Sequence, residues 1–161
     1  MQKIIITALS LTILAIMAAD ARAASDPPKA WQDVRALVVR FNDAQNVHNI
    51  DVSGALLLNS PEVSLTAGPV LAVGHDAAVN ALVRAYAGDW RVLPDYGRLS
   101  IQLTSPTQAD VSVPVEFKTA APGQDITTTE SMVRERAVLT PDGWRLASIA
   151  IDPAPAAIST L

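Results

Sequence analysis

Asp110-Val111-Ser112-Val113-Pro114-Val115-Glu116-Phe117-Lys118 is the stretch whose reading decides the fold. Val111, Val113, Val115 and Phe117 alternate with Ser112, Pro114, Glu116 and Lys118, the period-two pattern of a strand with one buried and one wetted face. Pro114 has no N–H to give to a ladder, so the strand has an edge or a bulge there. Toward the C-terminus, Ala121-Pro122-Gly123 turns the chain into a β-rich run over Ile126 to Leu139. Pro141-Asp142-Gly143 then turns it into Trp144 to Ile151, and these last two strands form a hairpin. On the N-terminal side, Arg98 to Thr104 alternates Leu99, Ile101 and Leu103 with polar neighbours, and Trp90 to Leu93 is a short strand candidate.

Further upstream the period changes from two to 3.6. Trp31, Val34, Val38, Phe41, Gln45 and His48 recur at helical spacing, so residues 30–48 read as one long amphipathic helix. Asn49 or Asp51 caps a second helix running through Leu58, which Asn59-Ser60-Pro61 ends. Val63 to Thr66 and Pro69 to Val73 flank Ala67-Gly68 as a small hairpin, and a third helix spans about residues 76–87, with Gly88 as its stop. Three N-terminal helices followed by a run of strands joined by short turns give an α+β class: a curved, mostly antiparallel sheet covered by helices, leaving a conical pocket.

Composition bounds the chemistry. The 161 residues contain no cysteine, which excludes a disulfide scaffold, a thiolate zinc site and a cysteine nucleophile. Twelve basic against 16 acidic residues, a net charge of -4, give none of the cationic footprint of a nucleic-acid binder. The apolar half of the sequence is uneven: Lys3, the uncharged run Ile4 to Ala19 and Ala21-Arg22-Ala23 read as a secretory signal peptide over residues 1–23. Cleavage before Ala24 leaves a chain of 138 residues with 10 basic and 15 acidic side chains, expected in the periplasm or secreted and free of the membrane. Residues 24–30 form a leader, 31–151 the domain, and 152–161 a Pro/Ala tail.

Phe41-Asn42-Asp43-Ala44-Gln45-Asn46-Val47-His48-Asn49-Ile50-Asp51, Val73-Gly74-His75-Asp76-Ala77 and Pro141-Asp142-Gly143-Trp144-Arg145-Leu146 occur in the order and spacing of a known family. In these segments the chain resembles the nuclear transport factor 2-like superfamily, in its bacterial SnoaL-like branch, over about residues 31–151. The resemblance implies a cone-shaped cavity between the long helix and the concave sheet, and a homodimer through the opposite sheet face. It covers isomerases, dehydratases, cyclases, hydrolases and proteins that only bind or assemble, so fold alone does not choose a function. The ketosteroid isomerase branch uses a tyrosine on the first helix and a carboxylate on the first strand. Here Phe41 stands at the first place and Val63-Ser64-Leu65-Thr66 carries no carboxylate.

Phe41, Gln45, Leu82, Tyr86, Trp90 and Tyr96 are the expected wall of a cavity for a small, largely apolar organic molecule, against the plainer reading of core filling. His48, on the apolar stripe, is the candidate acid or base, with Glu116 or Asp51 as its partner; alternatively its ring ends the helix on late carbonyls. Glu116 also reads as one half of a cross-strand ion pair with Arg134 or Arg136. His75 beside Asp76 reads as a surface cap, and two histidines build no His-rich metal site. Neither metal nor cofactor is expected. The leading expectation is ligand binding, followed by acid–base catalysis through His48 and by a homodimeric assembly module with an incidental cavity.

Overall fold

The computed structural model describes residues 28–153, so the expected signal peptide over residues 1–23 and the tail beyond Pro153 lie outside the described residues. The elements run α1 (Lys29–Asn46), α2 (Ile50–Leu56), β1 (Ser64–Ala67), β2 (Val70–Val73), α3 (His75–Ala85), β3 (Asp89–Pro94), a 3-10 turn (Tyr96–Arg98), β4 (Ser100–Ser105), β5 (Gln108–Ala120), β6 (Thr127–Thr140) and β7 (Gly143–Pro153). The class is α+β, as the order of periods predicts. The strands form one curved, unclosed mixed sheet in the order β2-β1-β7-β6-β5-β3, with β4 beside the remaining length of β5. Only β1 against β7 is parallel. Among the described residues no helix is long and apolar enough to cross a membrane.

Strand β5 behaves as its alternation requires: Val111, Val113, Val115 and Phe117 are buried, with the polar residues between them on the other face. Pro114 lies where β5 changes partner, between its pairing with β4, which ends at Ser112, and its pairing with β3, which begins at Val115. Its carbonyl accepts from the Asp95 N–H at 2.9 Å, so its nitrogen faces the same gap, where no ladder bond is required. The proline thus sits at a seam inside a long strand.

The long helix ends earlier than its apolar stripe suggests. His48 has a left-handed φ of 52°, and the Asn49 N–H bonds the Ala44 carbonyl at 2.8 Å while the His48 N–H bonds that of Gln45 at 3.0 Å. This is a Schellman closure with histidine where glycine is usual. Asn49 then caps α2, its side chain accepting from the Val52 N–H. Strand β7 runs two residues beyond the expected boundary, because Met132 and Ser131 still offer partners to Asp152 and Pro153.

The core lies between α1 and the concave face of the sheet. Val34, Val38 and Phe41 on α1 meet Val92, Val113 and Leu146 on the strands, all essentially without solvent contact. Burial of a side chain of this size contributes roughly 1.5–3 kcal/mol. The convex face is polar, and its ion pairs join Arg136 to Asp110 at 2.9 Å, Arg134 to Asp152, and Lys118 to Glu116 at 3.4 Å.

Candidate functional site

The packing between α1, α3 and the sheet is incomplete and leaves a cavity of about 310 Å³. Phe41 and Gln45 from α1, Leu82 from α3, and Trp90 and Phe117 from the sheet form its wall, with Leu65, Val133 and Ile149 across its floor. It stays open because α3 turns small side chains, Ala81 and Ala85, toward it. At about 30 Å³ per water-sized unit the space suits a molecule of roughly ten non-hydrogen atoms.

One ionisable side chain is sealed into this apolar wall. Glu135 is 4% exposed, and alternation on β6 sets it on the inward face between Val133 and Ala137. Across the sheet it lies between Val111 and Ile149, both buried. Burial in these surroundings raises its pKa from 4.5 to about 8, so the carboxyl is held protonated at neutral pH. Among the described residues its Oε2 has no hydrogen-bond partner, and neither has the indole Nε1 of Trp90, another residue of the cavity wall. An unmade bond at a buried polar atom costs about 1–3 kcal/mol, and both atoms belong to residues that line this one cavity.

Two amides complete the polar side of the wall. Gln45 donates to the Asn42 carbonyl oxygen at 3.2 Å, and Asn42 donates to the Tyr96 hydroxyl at 3.3 Å. Burial raises the pKa of Tyr96, the hydrogen bond from Asn42 offsets part of this, and Asp43 and, once it ionises at alkaline pH, Glu135 add to the rise. Arg35 lies 5.8 Å over the Tyr96 ring. Tyr96 therefore braces Asn42 from behind the wall.

Of the residues singled out from sequence, Phe41, Gln45, Leu82 and Trp90 line the cavity; Tyr86 and Tyr96 do not. Tyr86 is instead tied to the α1–α2 corner, its hydroxyl 3.0 Å from Ser53 Oγ and its ring stacked on His48 at 5.0 Å. His48 lies outside the cavity wall, because the left-handed residue redirects it from the helix stripe; its Nε2–H donates to the Trp90 carbonyl at 3.2 Å. Glu116 is on the convex face, opposite Glu130 in register and bonded to Lys118 rather than to Arg134 or Arg136, which pair with Asp152 and Asp110. His48 and Glu116 thus do not converge on one cavity. His75 Nε2–H donates to the Gly54 carbonyl at 3.1 Å, joining α3 to α2. Among the described residues no group of three or more acidic or histidine side chains is placed to hold a metal ion.

Sequence reasoning passed over Glu135. The signal was present in the alternation of Val133, Glu135 and Ala137 against Arg134 and Arg136, but the run was read as a strand without assigning its faces.

Neither a protein-family model nor a curated protein matches the sequence. Solved structures do match in shape. A nuclear transport factor 2-like superfamily protein from Salmonella enterica serovar Typhimurium has a TM-score of 0.69 at 14% identity, with 82% of this chain and 96% of that one covered. The fold is nuclear transport factor 2-like. A ketosteroid isomerase-like protein from Erwinia carotovora atroseptica has a TM-score of 0.66 at 16% identity, covering 80% and 99% of the two chains. A nuclear transport factor 2-like protein with a cystatin-like fold from Novosphingobium aromaticivorans has a TM-score of 0.64 at 14% identity, covering 80% and 84%. Identities this low carry the fold and leave the activity to the site.

Proposed function

We propose that the chain binds a small, largely apolar organic molecule bearing one hydrogen-bonding group in the cavity beneath α1. The observation that carries this reading is Glu135, a carboxyl sealed in an apolar wall with an oxygen that no protein group satisfies. Held protonated, it can donate a hydrogen bond, and the Trp90 indole N–H is a second donor on the same wall; a ligand carbonyl or hydroxyl oxygen is the complement of both. Calorimetric titration with a panel of small ketones, phenols and alcohols tests it. Binding that Glu135→Leu weakens by about ten-fold or more is expected; a panel without any binder would sink the reading.

A second reading is favoured by the same group. An acid with a pKa near ambient pH can both give and take a proton, so Glu135, rather than His48, is the residue on which acid–base turnover would rest. The ketosteroid isomerase-like neighbour makes proton transfer beside a carbonyl the first reaction to assay. Glu135→Gln keeps the shape and the hydrogen bonding while removing the exchangeable acid: turnover should vanish with binding retained, and unchanged turnover would exclude Glu135 as the acid. The charged n-region, apolar run and Ala21-Arg22-Ala23 of residues 1–23 support export, with this work outside the cytoplasm; the N-terminal residue of the secreted or periplasmic protein, expected to be Ala24, checks it.

A further inference from the structure

The cavity has a polar group at each end. Of the residues that line it, Val70 and Arg84 are the exposed ones, so its mouth lies between the β1–β2 turn and the last turn of α3. The Arg84 side chain makes no hydrogen bond or ion pair among the described residues; exposed Arg40 and Arg91 share that state, but neither lines the cavity. Apart from Glu135, no carboxylate lines the cavity to neutralise it. Of the exposed apolar side chains on β2, Val70, 47% exposed, lines this mouth, while Leu71 and Val73 alternate onto the other face of the sheet. Glu135 lies deeper, beside Ile149, while Ile151 stands beside Ala67 at the mouth. Two residues along β7 correspond to about 7 Å.

An exposed arginine on the wall of an apolar cavity, its side chain without a partner among the described residues, suits a molecule with an anionic end and an apolar body. Resting on the reading that this cavity binds a small apolar molecule whose oxygen meets Glu135, we propose that its ligand class is the small amphipathic carboxylates, with the carboxylate on Arg84 at the mouth, the apolar body inside and that oxygen at the inner end. The planar guanidinium meets a carboxylate through two parallel N–H donors. A single cation matches a monoanion better than a phosphate dianion. The apolar lining behind the mouth lowers the local dielectric and strengthens the contact relative to one in open water.

Octanoate, with ten non-hydrogen atoms, is a probe of the size the space admits. Calorimetric titration of the whole domain with octanoate, 1-octanol, octylammonium and octyl phosphate at pH 7 reads the preference. Octanoate should bind on the order of ten-fold more tightly than 1-octanol, with octylammonium weakest and octyl phosphate below octanoate. Arg84→Gln should bring octanoate down to the level of 1-octanol and leave 1-octanol unchanged, while Arg84→Lys retains part of the preference. Equal binding of octanoate and 1-octanol, or an Arg84→Gln protein with undiminished octanoate preference, overturns the carboxylate assignment and leaves the cavity reading standing. Octyl phosphate binding above octanoate overturns the choice of carboxylate. If none of the four probes binds, the cavity reading falls and the carboxylate assignment falls with it.

Discussion

At the residue scale the decisive group is Glu135, and its chemistry carries a stability signature. The unfolded carboxyl ionises near 4.5 and the folded one near 8. Between those values the folded state binds more protons than the unfolded state, so stability falls as pH rises across that window and levels off above it. Glu135→Gln removes that slope. In urea unfolding from pH 4 to 9, the variant should gain on the parent protein as pH rises and exceed it at pH 9 by on the order of 2–5 kcal/mol; parallel profiles would show that the folded carboxyl ionises normally. His48 gives the contrasting case. Its ring stacks on Tyr86 and bonds the Trp90 carbonyl outside the cavity, so His48→Ala should cost about 0.5–1.5 kcal/mol and leave ligand affinity within two-fold, roughly the measurement error. A ten-fold loss of affinity in that variant would return His48 to the site.

At the element scale the strand with most to explain is β3, which closes one edge of the sheet. Asn46 mimics a neighbouring strand: its amide donates to the Val92 carbonyl at 2.8 Å and its carbonyl accepts from the Val92 N–H at 2.7 Å. With His48 on the Trp90 carbonyl, the end of α1 covers two successive outward positions of β3, and so blunts an edge that could otherwise pair with another chain. Asn46→Ala should cost about 1–3 kcal/mol and raise aggregation on heating, measured by light scattering; unchanged scattering and midpoint would refute this capping role. Gly88, between α3 and β3, has a different constraint from the helix stop its position suggests. An ideal Cβ there would lie 2.0 Å from the Ala120 carbonyl oxygen at the end of β5. Because that atom is backbone, Gly88→Ala must push β3 away from β5, at about 3 kcal/mol, visible as a lowered urea midpoint.

At the scale of the whole molecule, the cavity couples ligand to stability. A ligand present at a hundred times its dissociation constant adds about 2.7 kcal/mol, so octanoate should raise the melting temperature by several degrees, a rise that Arg84→Gln should reduce. The fold was legible because its two periods are clean: Val34, Val38 and Phe41 at helical spacing, and Val111 to Phe117 in alternation, set the helix layer and the sheet before any contact is known. Four of six expected wall residues line the cavity, since a residue on the apolar stripe of α1 must face the sheet. Tyr86 and Tyr96 were misplaced because turn residues carry no periodicity to aim them. Glu135 was missed because its neighbours in sequence, Arg134 and Arg136, make the segment look like a solvated face.

The sequence by itself determined the class, the order of helices and strands and the absence of cysteine chemistry, because local periodicity and composition are properties of the chain alone. Only the tertiary structure decided which polar groups share a space. The parallel pairing of β1 with β7, the left-handed turn at His48 and the choice of β6 face depend on contacts between residues far apart in sequence. Those contacts bury one carboxyl among Val111, Val133 and Ile149 and bring Arg84 onto the wall of the same cavity, and the burial raises the pKa of the acid to about 8.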